Sequence, residues 1–162
     1  MKKAQAYEVL IYVLSALIVG LVLYYGYQAV AGFGEKQKQF QYLQFKTDFE
    51  NAINTIAPDF GTVRISSISV PSNFLEVCIV DPNKIGSPPQ NLKDQQTKYP
   101  LIYDSVNEGV EKNIFPMPDG EPFYVKKIQL ESNFNCFPVI QGHIKLRLEG
   151  LGDRAKISSV SS

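Results

Sequence analysis

Glu8, Cys78, Cys136 and His143 are the residues of this sequence best suited to chemistry, and their surroundings decide which chemistry is open to them. His143 is the only histidine and stands in "VIQGHIKLRLE", where alternation reads as a strand and gives it a solvent-facing place rather than that of a base. Neither a cysteine nor a second histidine lies at the spacing a zinc site would need. Cys78 and Cys136 are too far apart for a zinc or redox motif. They are either two buried thiols, as in a cytosolic protein, or a disulfide, as in a protein exposed outside a membrane. The sequence has no G-x-S-x-G elbow, P-loop lysine or dinucleotide fingerprint. "DPNKIG" lacks the spaced acidic positions of a calcium loop. These residues argue for a protein that is not an enzyme and carries no cofactor or metal.

Glu8 is the exception, because it opens a run from Val9 to Gly34 that has no charged residue. A helix rises about 1.5 Å per residue, so about 20 apolar residues cross a ~30 Å hydrocarbon layer. The run is longer than the ~7–15 apolar residues of a secretory signal, and tyrosines follow its most apolar part, where a cleavage site would stand. Tyr24, Tyr25 and Tyr27, with Lys36 and Lys38 beyond, have the character of an aromatic belt at a membrane surface. A short tail with Lys2 and Lys3 places the N-terminus in the cytoplasm and the remainder outside it. Membrane lipid is then one expected partner. Glu8 either snorkels to the interface beside the positive helix end or has a partner of its own. Ala16 and Gly20, four apart with Ser15 beside them, form a small-xxx-small pair that lets helices approach.

"KKAQAYEVLI" resembles the leader and helix start of a type IV pilin-like protein, in the archaeal form of that signal. The resemblance implies that Lys2 and Lys3 are the basic leader, Ala4 the small residue before the cut and Gln5 the first mature residue. It implies a prepilin peptidase as a processing partner. Glu8 takes the place of the family's glutamate, which is thought to meet the N-terminal amine of a neighbouring subunit. A cut after Ala4 puts Glu8 fourth in the mature chain, and a cut after Lys3 puts it fifth, where the family has it. The implied function is a structural subunit that assembles with copies of itself or related subunits into a surface filament or pseudopilus. The alternatives are an anchored extracytoplasmic binding domain and an accessory subunit of a membrane complex.

The 162 residues suffice for one compact domain and an appended segment. Sixteen basic and sixteen acidic residues give no net charge, which argues against a nucleic-acid partner. The expected division is a leader over 1–4, a transmembrane helix over 5–34, an amphipathic extension over 35–57 and an extracytoplasmic head over 58–162. In the extension, Tyr42, Phe45, Phe49, Ala52, Ile53 and Ile56 recur on one helical face, and Pro58 and Gly61 stop the helix. If Gly32 and Gly34 only bend it, residues 5–57 make a rod on the order of 80 Å long.

The head reads mainly as strands. "TVRISSISV" alternates through Val63, Ile65, Ile68 and Val70, and "FLEVCIVD" follows after a turn. Residues 82–100 read as an exposed loop and "LIYDSVNEGVEKN" as a short helix using Ile102, Val106 and Val110. "PFYVKKIQLE" reads as a strand, and "FPVIQGHIKLRLEGLGDRAKISSV" as two strands around "EGLGDR". The order implies an α+β fold with a small antiparallel sheet against the N-terminal helix.

Overall fold

In the computed structural model of the chain, backbone is described for residues 2–160 and side chains for 10–28 and 37–160. Helix α1 (Lys2–Ile56) is followed by β1 (Val63–Ser69), β2 (Glu76–Val80), α2 (Gln90–Lys93), α3 (Pro100–Asn107), β3 (Ile114–Met117), β4 (Ile128–Leu130), β5 (Phe134–Pro138), β6 (His143–Gly150) and β7 (Ala155–Ser159). Two compact units contain these elements, one over Met1–Phe40 and the other over Gln41–Ser162. The class is α+β. The second unit, here the head, takes in the amphipathic end of α1.

That end of the helix forms because its apolar residues share one face. Phe45, Phe49, Ile53 and Ile56 are buried, while Tyr42 and Ala52 flank them half-buried. The helix stops at Pro58, whose ring cannot continue it, and at Gly61, whose φ of 76° favours glycine. The carbonyl of Ala57 then accepts from the N–H of Gly152, and that of Gly150 from Gly61.

The head has two sheets instead of the single antiparallel one expected. The first has the order β1-β6-β7-β4, and its β4–β7 pair is parallel. The second, β3-β2-β5, is antiparallel. Strand β6 alternates cleanly, burying Ile144, Leu146 and Leu148 against the face of α1 that carries Phe49. Strand β2 is instead buried from Val77 through Val80 because both its faces are covered. Val77 and Ile79 join the main core with α1 and β6. Cys78 and Val80 face a second cluster of Leu92, Tyr99, Ile102 and Val106 from the α2–α3 region. Each such large apolar side chain contributes about 1.5–3 kcal/mol on leaving water.

Several sequence expectations are corrected here. Residues 82–100 are more than an exposed loop: they hold a 3-10 turn at Pro82–Lys84 and helix α2, and they bury Leu92 and Tyr99. Val110 lies beyond α3 and is exposed. The strand expected around Phe123 to Leu130 is confined to Ile128–Leu130. Ahead of it, Phe123 makes an isolated bridge to Ile114, and the amide of the buried Asn113 bonds the N–H and C=O of Val125. Val63 and Ile65 point outward, because β1 buries only Ile68 on its inner face.

Tyr42 closes the edge of the main core, and its hydroxyl donates to the carbonyl of Glu121 at 2.5 Å. Partial burial, aided by the Glu121 carboxylate, pushes the phenol up from 10.0 to about 12. Protonated Tyr42 therefore supports the fold fully below pH 10, and that support is lost as pH rises towards 12. Denaturant melts at stepped pH should show the parent chain losing stability relative to Tyr42→Phe across that window. Parallel curves would contradict the assignment.

Candidate membrane-spanning segment

Within the first unit, Leu10–Gln28 is a helical stretch of 19 residues with a mean hydropathy of 2.0, none of it buried. At about 1.5 Å per residue it is long enough to cross a hydrocarbon layer. Its apolar side chains occupy every face: Leu10, Leu14, Leu17 and Leu21 are exposed on one side, and Val19 and Leu23 on the other. A soluble surface helix keeps one polar face, whereas a helix apolar all round belongs in a protein core or in lipid.

Two hydrogen bonds engage polar side chains within this stretch. The Ser15 hydroxyl donates to the carbonyl of Tyr12 at 2.9 Å, and the Gln28 amide donates to the Tyr24 hydroxyl at 3.2 Å. Such internal pairing is what a hydrocarbon surrounding demands, since an unpaired polar group there costs several kcal/mol. Tyr24 and Tyr25 pack edge to face at 5.5 Å, and Tyr27 is 77 % exposed at the same end. Ala16 and Gly20 lie together on a shallow groove with Val13, Leu17 and Leu21. A Cβ added at Gly20 would meet no atom, so the groove is open for close approach by another helix. The side chains of Lys2, Lys3, Ala4, Gln5 and Glu8 lie outside those described.

In the head, Cys78 and Cys136 are register partners on β2 and β5 and are bonded as a disulfide. Of the two possibilities left open by the sequence, the bonded one holds. Glu76 lies beside them, but bonded sulfurs are not thiolates, so this trio does not form a metal site. The Tyr99 hydroxyl donates to Glu76 at 3.0 Å, and burial raises its phenol above the usual value. His143 is exposed at the start of β6, as alternation indicated. No hydrogen bond joins it to a serine, cysteine or carboxylate among the described residues. It lines an open cleft between the polar side of α1 and strand β1, with Asp48, Asn51, Thr55, Arg64 and Ser66 along it. Sequence reasoning missed this cleft, because the edge position of β1 depends on pairings from the far end of the chain.

The chain matches no protein-family model, and no curated protein or solved structure is significantly similar to it.

Proposed function

We propose that this chain is a membrane-anchored, non-enzymatic subunit of the type IV pilin-like class, assembling through its N-terminal helix into a surface filament or pseudopilus. The observation that carries the reading is the Leu10–Gln28 helix, apolar on every face and wholly exposed, joined to a head with its own cores and disulfide. An apolar surface of that extent requires lipid or the helices of other subunits. The Ala16–Gly20 groove suits the second, and the leader residues Lys2, Lys3 and Ala4 suit a cut on the cytoplasmic side. The disulfide fits a head outside the cytoplasm, since such bonds persist in oxidising compartments.

The new amine at Gln5 would lie about one helical turn from Glu8. A pair formed between that amine and the Glu8 of a neighbour would set the axial register of a growing filament. Glu8→Gln should therefore abolish filaments while leaving the head folded, and Lys3→Ala should impair processing instead. The measurements are the N-terminal residue of the membrane-bound protein and electron microscopy of the cell surface. Alkaline carbonate should leave the protein in the membrane pellet. A mature chain that starts at Gln5 or Ala4 supports the reading. An intact Met1 without filaments favours the anchored binding domain. A chain that begins beyond Tyr27, released by carbonate, identifies the segment as a removed secretory signal and ends the proposal.

A further inference from the structure

Strand β1 stands at the edge of its sheet and, among the described residues, pairs only with β6. The N–H of Val70 donates to Gly142, and the carbonyl of Thr62 accepts from Gly150, so the even-numbered residues of β1 direct their backbone groups at β6. By the alternation of an antiparallel ladder, Val63, Ile65, Ser67 and Ser69 direct theirs at the open edge. None of these four has another backbone partner among the described residues. A seven-residue edge of this kind is a template for a further strand, and proteins normally block such edges. No proline, bulge or lysine blocks this one.

On the inner side of that edge lies the cleft beneath α1, about 450 Å³ in volume. Its charged residues among those described are Asp48, half-buried on the helix, and Arg64, exposed on the strand; His143 is the only other titratable group among the described residues on its walls. Asp48 and Arg64 have no ion pair or side-chain hydrogen bond among the described residues. Chain geometry explains why they do not meet each other. After the turn at 57–62, β1 runs back along α1. Ile56 to Asp48 covers about 12 Å of helix and Arg64 to Ile68 about 13 Å of strand, which brings Asp48 level with Ile68 and leaves Arg64 at the other end.

We propose that this edge receives the β1 strand of a second copy of the chain, antiparallel and centred on Ser66. In that register, Val63 and Ile65 pair with the partner's Ser69 and Ser67, and every outward backbone group finds its complement. The partner's Arg64 falls opposite Ile68, on the cleft side of the sheet, level with Asp48. By the two-fold symmetry Arg64 meets the partner's Asp48, so the two unpaired charges of one copy satisfy those of the other. A strand of unrelated sequence would gain the backbone bonds but not this reciprocal charge match, which is why the occupant is a second copy. The proposal does not depend on filament assembly.

Ser66→Cys tests the register in the full-length protein, in detergent micelles at pH 8. Ser66 faces itself across the axis at a non-hydrogen-bonded position, where Cα atoms are about 4.5 Å apart, so mild oxidation should give mostly crosslinked dimer. Ser69→Cys serves as the control: its counterpart in the other copy would be about 20 Å away, so this variant should form no crosslink. Arg64→Asp added to Ser66→Cys places like charges together and should weaken association on the order of 100-fold. Adding Asp48→Arg as well should restore the crosslink. Unchanged thermal unfolding of each variant verifies that the head remains intact. Equal crosslinking at residues 66 and 69, no crosslinking at 66, or failure of the charge exchange to restore the dimer would each overturn the proposal.

Discussion

Phe49→Ala should cost the head about 3–5 kcal/mol, the range for removing a large aromatic side chain from a packed core. Phe49 is fully buried, and its ring packs edge to face with Phe45 at 6.2 Å and with Phe123 at 6.2 Å. Phe45 and Phe123 complete the triangle at 5.7 Å, and the Lys46 ammonium lies 5.7 Å from the centre of the Phe123 ring. Truncating Phe49 removes two of the three aromatic contacts and leaves a void that β6 cannot fill, since Leu146 and Leu148 are paired on both sides and Ile144 is paired with Ile68 of β1. A domain of this size has a net stability of only about 5–15 kcal/mol, so the loss is a large fraction of the whole. Chemical denaturation of the full-length protein measures it. Phe60→Ala is the matched comparison: Phe60 is 81 % exposed, and its loss should change stability by less than about 0.5 kcal/mol. Similar effects at the two positions would mean that α1 does not anchor the core.

The contrast between those two phenylalanines also shows what the sequence could and could not reveal. The helical face of Phe45, Phe49, Ile53 and Ile56 was legible because a helix buries residues set by spacing within one short stretch. The β6–β7 hairpin was legible for the same local reason, with Gly152 at φ 94° in its turn. Strand β3 was not, because "NIFPM" carries Pro116; the strand lies on a sheet edge, where a missing N–H is tolerated. The parallel β4–β7 pair was hidden because nothing local marks two short segments some 25 residues apart as neighbours. Val63 and Ile65 suggested a buried face that β1 does not have, since apolar residues on a sheet's outer face obey the same alternation as those on its inner one. In the first unit, composition was enough to mark out the uncharged run from Val9 to Gly34, within which Leu10–Gln28 lies. The cleft holding Asp48 and Arg64 needed the fold, because each residue alone is an ordinary surface charge.

The largest effect expected outside the aromatic core is from Cys78→Ala with Cys136→Ala, which should lower stability by about 4 kcal/mol. The bond closes a loop with a sequence separation of 58. In the chain-entropy account, a loop of that length sets the stated cost by restricting the unfolded chain. The native geometry favours the bond. The N–H of Asp81 donates to Asn133, and that of Val139 to Leu75, so the hydrogen-bonded pairs of β2 and β5 flank Cys78 and Cys136 on alternate residues. The cysteines therefore occupy a non-hydrogen-bonded pair, where strands bring Cα atoms closest; here they are 3.9 Å apart. Among the described residues strand β5 has no neighbour on its other side in this sheet, so β2 and the disulfide are what hold it in the ladder. Alanine at both positions avoids leaving a polar group unpaired at the fully buried Cys78 site, so the measured change reports mainly the lost crosslink. The melting temperature of the full-length protein should fall by roughly 10–20 °C. A thiol reductant that opens the bond should bring the parent close to the double variant and leave the variant unmoved. A parent that melts like the variant without reductant would mean that the bond is open in the protein as isolated. In that case the argument from redox compartment to an extracytoplasmic head would lose its support.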